Sequence, residues 1–144
     1  MLFGALFAAA GDPELKEDPE TLATKHVQDL CRHFGLLYLT HTTPQPVAGI
    51  INFGVFLDSL EAGCCDENRS LVDVAILGLE SLLETLIAVA GSKEKACQYP
   101  VVRELGERAV HCCYKRDWFC KRGGAMIIAC LASKVDPLAA ALNP

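Results

Sequence analysis

Residues 71–90, LVDVAILGLESLLETLIAVA, are almost entirely aliphatic and decide the fold. Three acidic residues interrupt this stretch: Asp73, Glu80 and Glu84. At about 100° per residue they fall within about 40° of one another on a helix. The remaining circumference is apolar apart from Ser81 and Thr85. The stretch therefore predicts a helix that is buried on most sides and wet along one acidic stripe, as in the interior of a packed helical array.

The same stretch is long enough to cross a bilayer, but its charges argue against a spanning helix. Each carboxylate at a bilayer centre costs roughly 2.5–3.5 kcal/mol on insertion scales, so three of them cancel the aliphatic gain. The N-terminal run MLFGALFAAAG is short and lacks a basic region, so we expect no signal peptide. We expect no membrane contact.

Helix signals continue on both sides of this stretch. Polar capping residues and prolines mark the starts of further helices at Asp18-Pro19, Ser92, Pro100 and Asp117. Gly91 marks the C-terminal end of the central helix. A turn is predicted at residues 66–68. Gly123-Gly124 lies inside the last helix and indicates either a kink or the close approach of a neighbouring helix. No stretch alternates with a period of two, so we predict no strands.

The longer helices follow Asp18, Asp66 and Asp117, which are 48 and 51 residues apart. Each is preceded by a shorter or more polar helix. We therefore predict one segment, 1–144, of three helix pairs: 1–40, 50–90 and 98–134. A period in the high forties made of helix pairs predicts an all-α solenoid of HEAT or armadillo type, with a compact six-helix bundle as the alternative. Both chain ends are apolar rather than capped, so we expect a fragment of a longer array.

Composition excludes some partners. The net charge of −5 and the pI near 5.3 are not typical of a protein that binds phosphate backbones, so no direct nucleic-acid contact is expected. There are eight cysteines but no secretory signal. We therefore expect a reducing compartment in which the cysteines pack as small apolar side chains.

Familiar catalytic and cofactor motifs are absent: the sequence has no nucleophile elbow, phosphate loop, dinucleotide fingerprint or zinc-protease motif. We expect no enzymatic activity, no cofactor and no small-molecule substrate. The best metal candidates are His111, Cys112, Cys113 and Cys120. Three of them are adjacent, and adjacent helical residues point about 100° apart, so one ion cannot easily take all three. Packed cysteines are favoured over zinc, and His26 and His33 are interpreted as ordinary helix histidines.

Residues 114–122, YKRDWFCKR, mix bases with aromatic rings. Such a mixture can stack on nucleic-acid bases. It also suits a turn between helices whose aromatic side chains point inward while its lysines and arginines stay in water. In an acidic chain we favour the turn.

Three stretches resemble the HEAT region of the TRRAP family, which are very large transcription-associated pseudokinases related to phosphatidylinositol 3-kinases. Residues 112–124, CCYKRDWFCKRGG, are similar to the family's Cys-Tyr followed by Trp-Tyr-x-Lys-x-Gly-Gly. Residues 91–100, GSKEKACQYP, resemble its Lys-Glu-x-Ala-Cys-x-x-Pro, and residues 30–34, LCRHF, its Arg-His-Phe helix. Phe119 stands where the family usually has tyrosine, the linker at 40–49 is short, and the kinase-like domain is absent.

The resemblance implies a non-catalytic scaffold segment of a histone acetyltransferase co-activator complex. It implies a nuclear location and contacts with other subunits and with transcriptional activators. The matched residues look like packing and turn elements, so no binding residue is carried over. The alternatives are an adaptor or transport HEAT protein and a cysteine-rich metal or redox protein.

Overall fold

The computed structural model describes residues 22–40 and 53–135. These ranges hold six helices and no strand: α1 Leu22–Thr40, α2 Phe53–Cys64, α3 Arg69–Ala90, α4 Lys93–Cys97, α5 Pro100–Cys113 and α6 Trp118–Lys134. The predicted all-α class is confirmed. The helix start at Asp18 and most of the linker at 40–49 lie outside the described residues.

Helix α3 is the centre of the fold. Helices α1, α2, α4 and α6 all pack against it. It buries nine residues, mostly leucine, valine and alanine. Burying one leucine side chain stabilises a fold by roughly 1.5–3 kcal/mol relative to leaving it exposed to water. Its acidic side is half-buried or exposed, where Asp73 pairs with Arg69 at 2.9 Å and Glu84 pairs with Lys134 of α6 at 2.8 Å. The predicted helix with one acidic stripe is confirmed, and no helix of the described residues could span a membrane.

The ends of α3 are fixed by local hydrogen bonds. Gly91 has φ +88° and its N–H donates to the Ile87 carbonyl, so the predicted C-terminal cap is confirmed. At the start, Asn68 is the N-cap and its side chain accepts from the Ser70 N–H at 3.0 Å. Asp66 is two residues too early to cap the helix. Its carboxylate instead accepts from the Asn68 N–H at 2.8 Å and orders the turn.

Helices α3 and α6 repeat one arrangement. Each follows a four-residue turn, 65–68 or 114–117, and they begin 49 residues apart. Helix α1 packs on the face of α3 that carries Gly78 and Leu82, while α6 lies beside Glu84. The stacked rings of Phe34 and Phe56, with centroids 4.2 Å apart, join α1 to α2. The long helices α1, α3 and α6 are therefore stacked in series.

The glycine pair of α6 marks a close approach and not an interruption, because α6 continues as one helix from Trp118 to Lys134. A Cβ on Gly123 would lie 2.5 Å from the Cys64 carbonyl oxygen at the end of α2. A Cβ on Gly124 would lie 2.5 Å from the Ala109 carbonyl oxygen of α5. Only glycine leaves room for α6 to meet the backbones of both helices.

Candidate protein-binding surface

The turn between α5 and α6 presents two large aromatic side chains to solvent. Tyr114 is 85% exposed and Trp118 is 61% exposed, and they are the most exposed large hydrophobic residues of the described chain. Residues 114–122 are called the basic-aromatic turn below. The prediction that it connects two helices is confirmed, but the prediction that its aromatic side chains point inward is wrong for Tyr114 and Trp118.

Arg122 explains the reversal. Its Nη2 donates to the Asp66 carbonyl at 2.8 Å and to the Glu67 carbonyl at 3.4 Å, both in the turn between α2 and α3. The guanidinium thus takes the inward position and satisfies carbonyl groups that an aromatic ring could not. The Trp118 ring stacks against it on the outside, with Cζ 4.8 Å from the ring centroid. The arginine expected in water is therefore half-buried.

Trp118 is held in place although it is exposed. Arg122 lies over its face, and Phe119 meets it edge-on with centroids 5.8 Å apart and an interplanar angle of 82°. An aromatic side chain that is already ordered loses little conformational entropy when a partner covers it. Tryptophan and arginine are also the side chains most often found at the energetic centres of protein interfaces.

The charge of the basic-aromatic turn is opposite to that of the whole chain. It carries four bases, Lys115, Arg116, Lys121 and Arg122, against the single acid Asp117, while the chain has a net charge of −5. Arg116, Asp117 and Lys121 are exposed. The exposed part of the turn is therefore basic within an acidic chain.

The structure separates the four metal candidates. His111 is exposed, Cys113 is half-buried, and Cys112 and Cys120 are buried. The Cys112 thiol donates to the Glu61 carboxylate at 3.3 Å, while the Cys113 sulfur lies against Gly124. Within residues 22–40 and 53–135, no group of three or more His, Cys, Asp or Glu side chains is placed to hold a metal ion. That the protein binds no metal stays a prediction.

Sequence reasoning missed two connections between neighbouring helix pairs. Arg108 of α5 pairs with Glu104 on its own helix and also reaches Asp58 of α2 at 2.7 Å. The sulfurs of Cys65 and Cys112 lie 3.5 Å apart. A signal was present, since the adjacent cysteines 64–65 and 112–113 are one repeat apart in the sequence. Residues one repeat apart occupy equivalent positions in stacked units.

Residues 1–139 match the family model described as the Tra1 HEAT repeat ring region. The chain belongs to this family. Its curated relatives include Transcription-associated protein 1 of Drosophila melanogaster, which is 26% identical over 149 residues. They also include Transformation/transcription domain-associated protein of Homo sapiens and of Danio rerio, each 30% identical over 81 residues. No solved structure matches the chain.

The chain spans a small part of these relatives. The alignment with the fly protein covers 88% of this chain and 4% of that relative. The alignments with the human and zebrafish proteins each cover 56% of this chain and 2% of the relative. The resemblance to the HEAT region of the TRRAP family is confirmed, and so is the HEAT-type α-solenoid. By their names, the relatives are transcription-associated proteins.

Proposed function

We propose that this chain is a non-catalytic scaffold segment of a nuclear co-activator complex with histone acetyltransferase activity. The observation that carries the proposal is the match of residues 1–139 to the HEAT ring region of transcription-associated proteins. In this role other subunits and transcriptional activators would bind the segment. We further propose that the chain is one unit of three helix pairs, 1–40, 50–90 and 98–134, within a longer array.

The basic-aromatic turn is the proposed contact for a protein partner. Trp118 is exposed yet fixed by Arg122, and the surrounding lysines and arginines favour an acidic segment. The apolar faces of the partner would cover the tryptophan ring, while its carboxylates would meet the basic side chains. This arrangement needs no cofactor and no reaction.

The test is capture of acetyltransferase activity from nuclear extract by the immobilised 144-residue chain. We expect the bound fraction to acetylate histones above the level of empty beads. Trp118→Ala should lower the captured activity roughly tenfold or more, because removing a central aromatic side chain costs about 2 kcal/mol.

The matched control is Val110→Ala, which truncates an apolar side chain of α5 that is 49% exposed but lies outside the turn. It should capture as much activity as the unchanged chain. Equal capture by Trp118→Ala would exclude the turn as the contact. Absence of acetyltransferase activity from the fraction bound by the unchanged chain would contradict the scaffold proposal itself.

A further inference from the structure

Two thiols from neighbouring helix pairs lie in contact beneath the turns. Cys65 follows the last residue of α2, and Cys112 lies in the last turn of α5. The Cys65 thiol donates to the Cys112 sulfur, with the sulfurs 3.5 Å apart. A disulfide needs about 2.05 Å between sulfurs, so the two atoms must approach by about 1.5 Å.

The two thiols differ in access. Cys65 is half-buried, whereas Cys112 is fully buried. Cys65 is therefore the more accessible residue of the two, and Cys112 lies behind it as the second thiol. The Cys112 thiol itself donates to the Glu61 carboxylate at 3.3 Å. A proton acceptor thus stands at the end of a chain of two hydrogen-bonded thiols.

We propose that Cys65 and Cys112 are an oxidation site at which a hydroperoxide forms a reversible disulfide between α2 and α5. The hydroperoxide transfers one oxygen to the Cys65 sulfur, giving a sulfenic acid and, from hydrogen peroxide, one water. The Cys112 sulfur then attacks the Cys65 sulfur, so that the S–S bond forms and the S–O bond breaks. The Cys112 proton passes by way of Glu61 to the departing hydroxide, which leaves as a second water. The two thiols lose two electrons and the peroxide gains them.

Burial sets the pace of this reaction. It raises the pKa of the Cys65 thiol, and burial together with the hydrogen bonds to Cys65 and Glu61 raises that of Cys112. Both thiols are therefore protonated at neutral pH, and the thiolate is the reactive form. The disulfide forms under sustained exposure to oxidant and not on brief contact. A dithiol reductant restores the two thiols.

The disulfide would join units that are otherwise held by packing and ion pairs. The two cysteines are 47 residues apart, close to one repeat of the solenoid. A Cβ on Gly123 would lie 2.9 Å from the Cys65 sulfur, so α6 lies against the same point. Oxidation therefore adds a covalent link between α2 and α5 at the place where three helices meet.

The test treats the folded 144-residue chain with hydrogen peroxide, blocks the remaining thiols, and maps the disulfides by mass spectrometry of unreduced peptides. We expect a peptide that links Cys65 to Cys112, which dithiothreitol cleaves. We also expect the unfolding temperature to rise after oxidation and to return after reduction. Cys65→Ser should abolish both the linked peptide and the rise.

The matched control is Cys113→Ser, which removes the neighbouring half-buried thiol and should leave the linkage unchanged. Cys65→Ser is preferred to a change at fully buried Cys112, and far-ultraviolet circular dichroism verifies that each variant is folded. Linkage of other cysteines in the unchanged chain, absence of any disulfide, or a rise in unfolding temperature that survives Cys65→Ser would each overturn the proposal.

Discussion

The two junctions made by glycines of the long helices are built differently. Where α1 meets α3, a Cβ on Gly78 would meet side chains, the Cys31 sulfur at 2.9 Å and Val27 Cγ1 at 3.2 Å. Where α6 meets α2 and α5, a Cβ on Gly123 or Gly124 would meet backbone oxygens at 2.5 Å. A side chain can rotate away, but a helix carbonyl is fixed by its hydrogen bonds. The first junction is therefore adjustable and the second is rigid.

The largest effect is expected at the rigid junction. Gly124→Ala places a methyl group against the Ala109 carbonyl and the Cys113 sulfur, so α6 must move away from α5. We expect the free energy of unfolding to fall by about 3 kcal/mol, at the upper end of overpacking effects. Urea unfolding followed by circular dichroism measures this. A loss of about 1–2 kcal/mol or less would show that the junction is as adjustable as the first one.

A smaller loss is expected at the adjustable junction. Gly78→Ala should lower the free energy of unfolding by about 1–2 kcal/mol, because the Cys31 sulfur must move. Adding Cys31→Ala removes that sulfur, so the double variant should be less destabilised than the sum of the two single variants. If the losses of the two single variants added up to the loss of the double variant, a Cβ at position 78 would not contact the Cys31 sulfur.

Alkaline pH should weaken the adjustable junction as well. Burial raises the pKa of the Cys31 thiol from 9.0 to about 12. Between these values the unfolded chain releases the proton while the folded chain keeps it, so stability is full below about pH 9 and falls as pH rises. The loss from about pH 9 to about pH 10 should be about 1 kcal/mol for this group.

Cys31→Ala isolates this contribution. The difference in stability between the unchanged chain and the variant should shrink as the pH rises from about 9 to about 12, because the variant has no thiol to ionise there. A difference that stays constant with pH would show that Cys31 ionises equally in both states. Urea unfolding at each pH gives the measurement.

The smallest effect has the opposite sign. A Cβ on Gly106 of α5 would meet nothing within 4 Å, so this glycine contributes no contact. Gly106→Ala should stabilise the chain by about 0.5–1 kcal/mol through the helix preference of alanine. This variant is the reference for the glycine variants at both junctions. It makes the same glycine-to-alanine change in a helix, at a position where no other group lies close. If urea unfolding showed that Gly106→Ala destabilises the chain, the space beside Gly106 would not be open.

Sequence periodicity is sufficient to predict the central helix, because burial on most sides leaves a regular apolar pattern at positions 71–90. The sequence also predicts the Gly91 cap, because the left-handed backbone conformation at the end of this helix favours glycine. It did not reveal that Trp118 is exposed, since that depends on Arg122 reaching carbonyls 55 and 56 residues away. Nor did it place Asn68 as the cap, because Asp66 and Asn68 are both good capping residues and only the backbone conformation distinguishes them.

Every polar contact described between helix pairs joins residues about one repeat apart, from Cys65 with Cys112 to Lys134 with Glu84. A bending load on the segment would therefore be carried by successive junctions between the long helices. We expect the junction packed through side chains to yield more easily than the junction set by backbone contact. Bending should thus occur between α1 and α3 before α6 moves relative to α2 and α5.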